Sequence, residues 1–378
     1  MAAGGNTPAE VLSGGDMKKV LLILVGGTIC TAVNQEGNLA ISEKAGVALK
    51  ENYLASDSPY VDEVEIESTE NLYVLSENLT VDKWNEIIAA YRTYAAGKSY
   101  DGIIMAHGTD TLAYSAALFS LLLSTTKVPV FFVSSNQSLF SERANGNANF
   151  RCAVECICRG IQPNVYVPYR NLSDGSMYLH LGSRLRQCES YQEDFHSVGE
   201  INITDMTEEN YPEYFAAIER MFPQEKRKPV VDIAGDWKLK NCALCLRPYV
   251  GLDYSAFDYS RFAVVLHEAF HSGTVCVEKN ERWDGYDNFS VLYLLDRCFQ
   301  GKNPVDVYVS PAKFIQGTYE TVSILGNHTV DGKRINFLYG YTSEMTYVKL
   351  VIAYSLFENA EDRQAFLNNE YNFERISE

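Results

Sequence analysis

The sequence predicts an α/β fold of two doubly wound α/β domains: an N-terminal parallel sheet with helices on both faces, then a smaller C-terminal α/β domain. Two observations carry that prediction. The apolar runs 20–25 and 102–106 are short and bounded by glycine, the pattern of strands buried on both faces. Runs of this kind alternate with segments of helical spacing along the chain, as parallel βαβ units require.

Taken in order, the first strand ends in Gly26-Gly27-Thr28-Ile29, and a polar stretch follows. Over 81–95, Trp84, Ile87, Ile88 and Tyr91 recur at helical spacing. The strand at 102–106 runs into His107-Gly108-Thr109-Asp110-Thr111, which opens a helix with Leu112, Ala116, Phe119 and Leu123 on its apolar positions. Asp110 and Thr111 fall at that helix start, where side-chain oxygens cap exposed amides and the dipole favours anions. A third strand is expected over 128–133, a third helix over 147–159 and a fourth strand over 164–167. The acidic, proline-containing segment 205–228 breaks the alternation, and Asp205 and Glu208 are spaced like a capping box for one helix. Beyond it, strands are expected near 262–266, 306–310 and 337–340, then a helix over 345–358. The expected organisation is therefore a disordered lead-in at 1–16, an N-terminal domain at 17–205, a linker with a helix at 206–228 and a C-terminal domain at 229–378.

A chain of 378 residues is long enough for two cores, since single cores stop growing at about 250 to 300 residues. Its longest apolar run, 116–123, is far shorter than the roughly 20 residues that span a bilayer, so no membrane segment is expected. Nine cysteines, several in apolar segments, suit buried thiols in a reducing cytoplasm rather than a disulfide framework. The net charge of −17 repels phosphate backbones, so nucleic acid is not an expected partner.

The two strand-to-loop junctions carry the chemistry. Open parallel sheets collect ligands at the C-terminal ends of their strands, where these loops place two threonines, a carboxylate and several glycines. Both loops resemble the signature motifs of the bacterial-type L-asparaginases. The stretch 106–155, with Ala113-Tyr114-Ser115-Ala116 and Ala144-Asn145-Gly146-Asn147-Ala148-Asn149, is most similar to the cytosolic type I branch. A fainter likeness continues through Val264-Val265-Leu266 and Val309-Ser310 to Ser343-Glu344-Met345-Thr346. A component of the archaeal tRNA-dependent amidotransferases shares the motifs and carries an extra N-terminal domain, for which a first strand near residue 20 is expected to leave no room.

The resemblance implies hydrolysis of asparagine, with glutamine as the next substrate, by an amidohydrolase without cofactor or metal. Such chemistry needs an activated hydroxyl, a base for its proton and donors for the oxyanion. Carried onto this chain, Thr28 is the nucleophile, Thr109 its partner threonine and Asp110 the holder of the substrate α-ammonium. Ser76, in Ser76-Glu77-Asn78-Leu79-Thr80, matches the serine that binds the α-carboxylate, while Gly27 and Gly108 let the backbone approach the substrate. The plainer alternatives are a helix cap for Asp110 and a loop serine bonding its local backbone for Ser76. A homodimer or homotetramer in the cytoplasm is implied in the same way.

Two family positions depart. Asn38 stands where a tyrosine activates the nucleophile, and Gln187 where a lysine deprotonates the partner threonine, with Arg186 the next candidate. Glutamine does not titrate and arginine stays protonated, so neither is a base. Loss of a positioned base typically costs about 10² to 10⁴ in rate. Three readings follow: a base from elsewhere, slow turnover or an unusual substrate, or a degenerate relative that binds a small amino acid without efficient turnover.

Two further motifs compete. His267-Glu268-Ala269-Phe270-His271 matches the zinc-protease signature, which needs a helix, yet a strand is expected to feed into it and Ser272-Gly273-Thr274 follows. Cys242-Ala243-Leu244-Cys245 lacks a second such pair and reads as two buried thiols in a strand; Cys152, Cys156 and Cys158 likewise have no histidine or fourth cysteine close in sequence.

Overall fold

Residues 17–33, 36, 38–95, 98–278, 287–300, 303–310 and 319–376 are described in a computed structural model of the protein. The expected lead-in at 1–16 lies outside them.

Seven strands form the large sheet: β1 (Lys18–Leu24), β2 (Val64–Ser68), β3 (Gly102–Ala106), β4 (Val130–Val133), β5 (Val165–Arg170), β6 (Met177–Leu181) and β7 (Ile201–Asn202). Their spatial order is β7-β6-β5-β4-β3-β1-β2. The five strands from β2 to β5 are parallel, while β6 and β7 add an antiparallel edge that the periodicity of the sequence does not announce. Alternate side chains serve opposite faces. Leu21, Ile23, Ile103, Met105 and Phe132 pack with α2 (Val81–Ala95) and α3 (Leu112–Leu122). Val20, Leu22, Leu24, Ile104 and Phe131 pack with α1 (Glu43–Leu54) and α4 (Gly146–Cys158). Helix α1 arises within the polar stretch after the first loop, started by Ser42, whose hydroxyl accepts from the Lys44 amide at 3.3 Å.

The expected capping box at Asp205 and Glu208 does not form. Helix α5 (Tyr211–Met221) begins after Asn210, and the Glu208 carboxylate instead accepts from Tyr60 at 2.5 Å and from Arg159. Three donors from Tyr60 and Arg159 hold the carboxylate there, where a capping box would supply one backbone amide.

A second sheet, β8 (Ala243–Leu246), β9 (Val264–Glu268), β10 (Asp306–Ser310) and β11 (Asn336–Phe337), is parallel throughout and follows chain order. Helix α6 (Val291–Phe299) covers one face. The segment Glu320–Asn327 forms α7, and α8 (Ser343–Leu356) covers the other face. Because α8 also packs on α3, one apolar core runs from the large sheet to the small one. Helix α9 (Ala360–Asn368) closes the chain's helical part.

A buried ion pair seals this junction. Lys349 Nζ and Glu374 Oε1 are 2.9 Å apart with both side chains 0% exposed. The ammonium also donates to the Asn369 carbonyl at 2.7 Å, and Glu374 accepts the Asn372 amide at 2.7 Å. Asn372 in turn reaches the Ser120 carbonyl at 2.9 Å and Asn164 at 2.8 Å. Removing one partner of such a pair strands a buried charge at a cost of about 3 to 5 kcal/mol.

Three histidines are fully buried, and desolvation pushes His107 and His267 down to about 4 and His180 to about 3. In the unfolded chain histidine titrates near 6.5, so below that pH the unfolded state binds more protons. Stability therefore falls as pH drops from about 6.5 toward 4, by up to about 1.4 kcal/mol per pH unit for each histidine. Thermal denaturation followed by circular dichroism should show Tm dropping through this window, less steeply in His180→Gln. A flat Tm from about pH 6.5 to 4.5 would contradict the assignment.

Candidate active site

The site forms where β1 and β3 end. Leu24 lies opposite Ala106 in the paired register, so both strands leave the sheet at one level. The order β2-β1-β3-β4-β5 changes direction between β1 and β3, and ligands of open α/β sheets bind in the crevice outside such a switch point. The Val25 and Gly26 amides both donate to the Ala106 carbonyl, at 3.0 and 3.2 Å. Gly27 donates to the Val74 carbonyl at 3.0 Å, which brings the chain leading to Ser76 alongside.

Three loops interlock there without room for a methyl group. Gly27 has φ +78°, and a Cβ on it would lie 2.1 Å from the Gly108 Cα. A Cβ on Gly108 would lie 2.3 Å from the Ser76 hydroxyl oxygen. Glycine is needed at both positions for backbone approach, and at the first also for a left-handed conformation.

The polar groups converge on this contact. Ser76 Oγ donates to Asp110 Oδ2 at 3.3 Å, and Thr111 Oγ1 donates to the Ser76 carbonyl at 3.1 Å. Thr111 is at the N-cap of α3 yet makes no side-chain cap bond, and both Asp110 and Thr111 bond Ser76 in place of the cap, the plainer alternative. Asp110 is exposed, while Thr28 and Thr109 are half-buried. Thr28 opens a 3₁₀ turn, Thr28–Cys30, and its carbonyl accepts from Thr31 Oγ1 at 2.8 Å. No described residue hydrogen-bonds to the hydroxyl of Thr28 or Thr109.

His107 sits beneath the second loop, with Nδ1 2.8 Å from the Gly108 carbonyl. A carbonyl only accepts, so Nδ1 carries the proton and the ring is a neutral strut edge-on to Phe132.

Gln187 contacts the backbone of the second loop. Its Nε2 donates to the Thr109 carbonyl at 2.7 Å, and its Oε1 accepts from the Ala113 amide at 3.3 Å, one of the donors left open at the start of α3. Arg186 is exposed and paired with Glu189 at 2.9 Å. Asn38 is exposed and directly precedes Leu39–Ile41, which pairs antiparallel with Thr31–Val33. Glu344, to which the motifs assign no role, joins this group: its Oε1 accepts the Gln187 backbone amide at 2.9 Å. In the sequence Glu344 is marked only by its place in the faint likeness over Ser343-Glu344-Met345-Thr346 and at a helix start, neither of which gives it a role. A cavity of about 900 Å³ beside Gln187 separates the two sheets' loops, lined by Tyr114, Arg247, Glu268, Ser310 and Glu344.

The competing motifs are placed elsewhere. His267 and Glu268 are successive residues of β9; His267 Nε2 lies 2.7 Å from the Tyr254 hydroxyl, and Glu268 accepts from Arg247 at 2.9 Å. That strand geometry sends the two side chains to opposite faces. All nine cysteines are free thiols.

A family model described as "Asparaginase, N-terminal" matches residues 19–218. The chain is 31% identical over 191 residues to the D component of the glutamyl-tRNA(Gln) amidotransferase from Archaeoglobus fulgidus, covering 50% of this chain and 44% of that protein. The Pyrococcus furiosus protein of the same name is 21% identical over 316 residues, 82% of this chain and 69% of its own. The chain thus spans less than half the length of the Archaeoglobus relative. Among solved structures, the thermostable L-asparaginase from Thermococcus kodakarensis superposes with TM-score 0.66 at 20% identity over 95% of this chain and all of that one. L-asparaginase I from Vibrio cholerae gives 0.63 at 18%, over 96% of this chain and all of that one. Those likenesses establish the fold.

The interlock is measurable against a matched control. Gly27→Ala should destabilise by about 3 kcal/mol or more in chemical denaturation, because backbone strain adds to a backbone clash. Gly160 has the same φ of +78° with nothing within 4 Å of a Cβ, so Gly160→Ala should cost only about 1 to 2 kcal/mol. Equal losses would mean that the close approach contributes nothing.

Proposed function

Because the chain belongs to the asparaginase family, as the match over residues 19–218 establishes, we propose that it is an amidohydrolase that converts L-asparagine to L-aspartate and ammonia at the Gly-Thr loops of β1 and β3. The observation that carries this reading is the convergence of Ser76 and Asp110 on the Gly27–Gly108 contact. Asp110 would hold the substrate α-ammonium and Ser76 the α-carboxylate, a charge-assisted pair of contacts.

The Thr28 hydroxyl then attacks the side-chain amide carbon. The new C–O bond gives a tetrahedral adduct, and collapse breaks the C–N bond, releasing ammonia and leaving an ester that water hydrolyses. The threonine proton must reach the departing nitrogen. Gln187 cannot relay it by titration, since its amide is engaged as donor and acceptor and has no usable pKa. Turnover is therefore expected to be about 10² to 10⁴ slower than with a positioned base.

The Archaeoglobus likeness favours a second reading, a component whose released ammonia serves an amidotransferase acting on glutamyl-tRNA(Gln). A net charge of −17 argues that the chain itself would not hold the RNA. The partition at 17–205, 206–228 and 229–378 is part of this proposal, supported by a large sheet that ends at Asn202 and a small one that begins at Ala243. So are a cytoplasmic location, which the free thiols suit, and a homodimer or homotetramer, which sedimentation would measure. Among the described residues no helix is long and apolar enough to cross a membrane.

Ammonia release from L-asparagine should exceed that of Thr28→Ala, and Asp110→Asn should weaken substrate binding about 10- to 150-fold, the loss of a charged contact of about 1.5 to 3 kcal/mol. No turnover above Thr28→Ala would sink the enzyme reading. If asparagine or aspartate then still raised Tm, the chain would be a binding protein without turnover.

A further inference from the structure

We propose that Glu344 is a positioning residue through which the second sheet's unit sets the geometry of Thr109. The inference rests on the reading that Thr109 belongs to the active site. Glu344 lies in the first turn of α8, where Thr342 Oγ1 accepts the Met345 amide at 3.2 Å and the helix dipole favours a carboxylate. It is 8% exposed. From there its Oε1 takes the backbone N–H of Gln187 at 2.9 Å, across the junction between the two sheets.

What Gln187 does with its side chain gives this bond its consequence. The amide closes a bridge between the Thr109 carbonyl and the Ala113 amide, and so fixes the strand end to the first turn of α3. An amide does both, whereas an ammonium only donates and a carboxylate only accepts. The bridge is as rigid as the backbone that carries Gln187. That backbone is held on this side by the Glu344 carboxylate, an acceptor whose charge strengthens the bond. Glu344 thus reaches Thr109 in two steps, carboxylate to Gln187 backbone and Gln187 side chain to Thr109 carbonyl, without touching the reacting atoms.

The route explains why this site tolerates glutamine where a base is expected. A lysine at 187 would keep the bond to Thr109 and lose the acceptor for Ala113. At this position the side chain is a structural brace, anchored from the other unit.

Two readouts test it, one of them independent of turnover. Hydrogen exchange of the peptide spanning 107–118, read by mass spectrometry, should quicken about tenfold or more in Glu344→Ala, because the Ala113 amide loses a fixed acceptor. In Glu344→Gln, whose amide oxygen still accepts the Gln187 N–H, exchange should return to within about threefold of wild type. With L-asparagine, kcat should fall about 10- to 100-fold in Glu344→Ala while KM changes less, and Glu344→Gln should recover most of it. Gln187→Ala should reproduce both effects, and the double variant should add nothing further, as for two links of one chain.

Unchanged exchange in Glu344→Ala, or additive effects in the double variant, would overturn the proposal. If Glu344→Ala fails to fold, Gln187→Ala and Glu344→Gln still decide it by the same exchange measurement. A wild type that releases no ammonia would defeat the amidohydrolase reading alone, since the exchange data report the brace whether or not the enzyme turns over.

Discussion

The backbone contact between Gly27 and Gly108 is the constraint on which the site depends. Two parallel strands end at one level on either side of the topological switch, and their loops touch because neither glycine has a side chain. Ser76 is drawn against Gly108 by the same interlock, so its hydroxyl and the Asp110 carboxylate meet without any long side chain reaching across. The chemistry of the loops is arranged by backbone approach, and side chains supply only the final contacts.

Around that contact the molecule is asymmetric in what it keeps. The residues suited to recognition, Ser76 and Asp110, are bonded to each other, whereas the hydroxyls suited to attack find no partner among the described residues. Gln187, bonded to the Thr109 carbonyl, serves as a brace. A site with organised recognition and unassisted proton transfer should bind well relative to its rate, because binding interactions that are equal in ground and transition states lower KM without raising kcat.

Much of this is legible in the residues. The glycine-bounded apolar runs place β1 and β3, and the two Gly-Thr motifs mark the edge where they end, because both signals are local. The partner of Glu208 and the Lys349–Glu374 seal are not legible, since each joins side chains that only the fold brings together, and β6, though it pairs with β5 as a local hairpin, carries no clear alternation to announce it. Asp110 shows the difference most clearly. Its position at a helix start leaves a cap open as the plainer alternative, yet the approach of Ser76 from another loop gives its carboxylate a different donor. Gln187 is found by register alone, and its two-sided use by Thr109 and Ala113 needs the fold.

A crystal structure of the protein with L-aspartate would show whether recognition and attack converge on one crevice at the ends of β1 and β3. The ligand's α-ammonium is expected within about 3 Å of the Asp110 carboxylate, its α-carboxylate on Ser76 and its side-chain carboxylate facing Thr28. Aspartate bound instead in the cavity beside Glu268 and Ser310, with the crevice between the Gly-Thr loops left empty, would contradict that convergence.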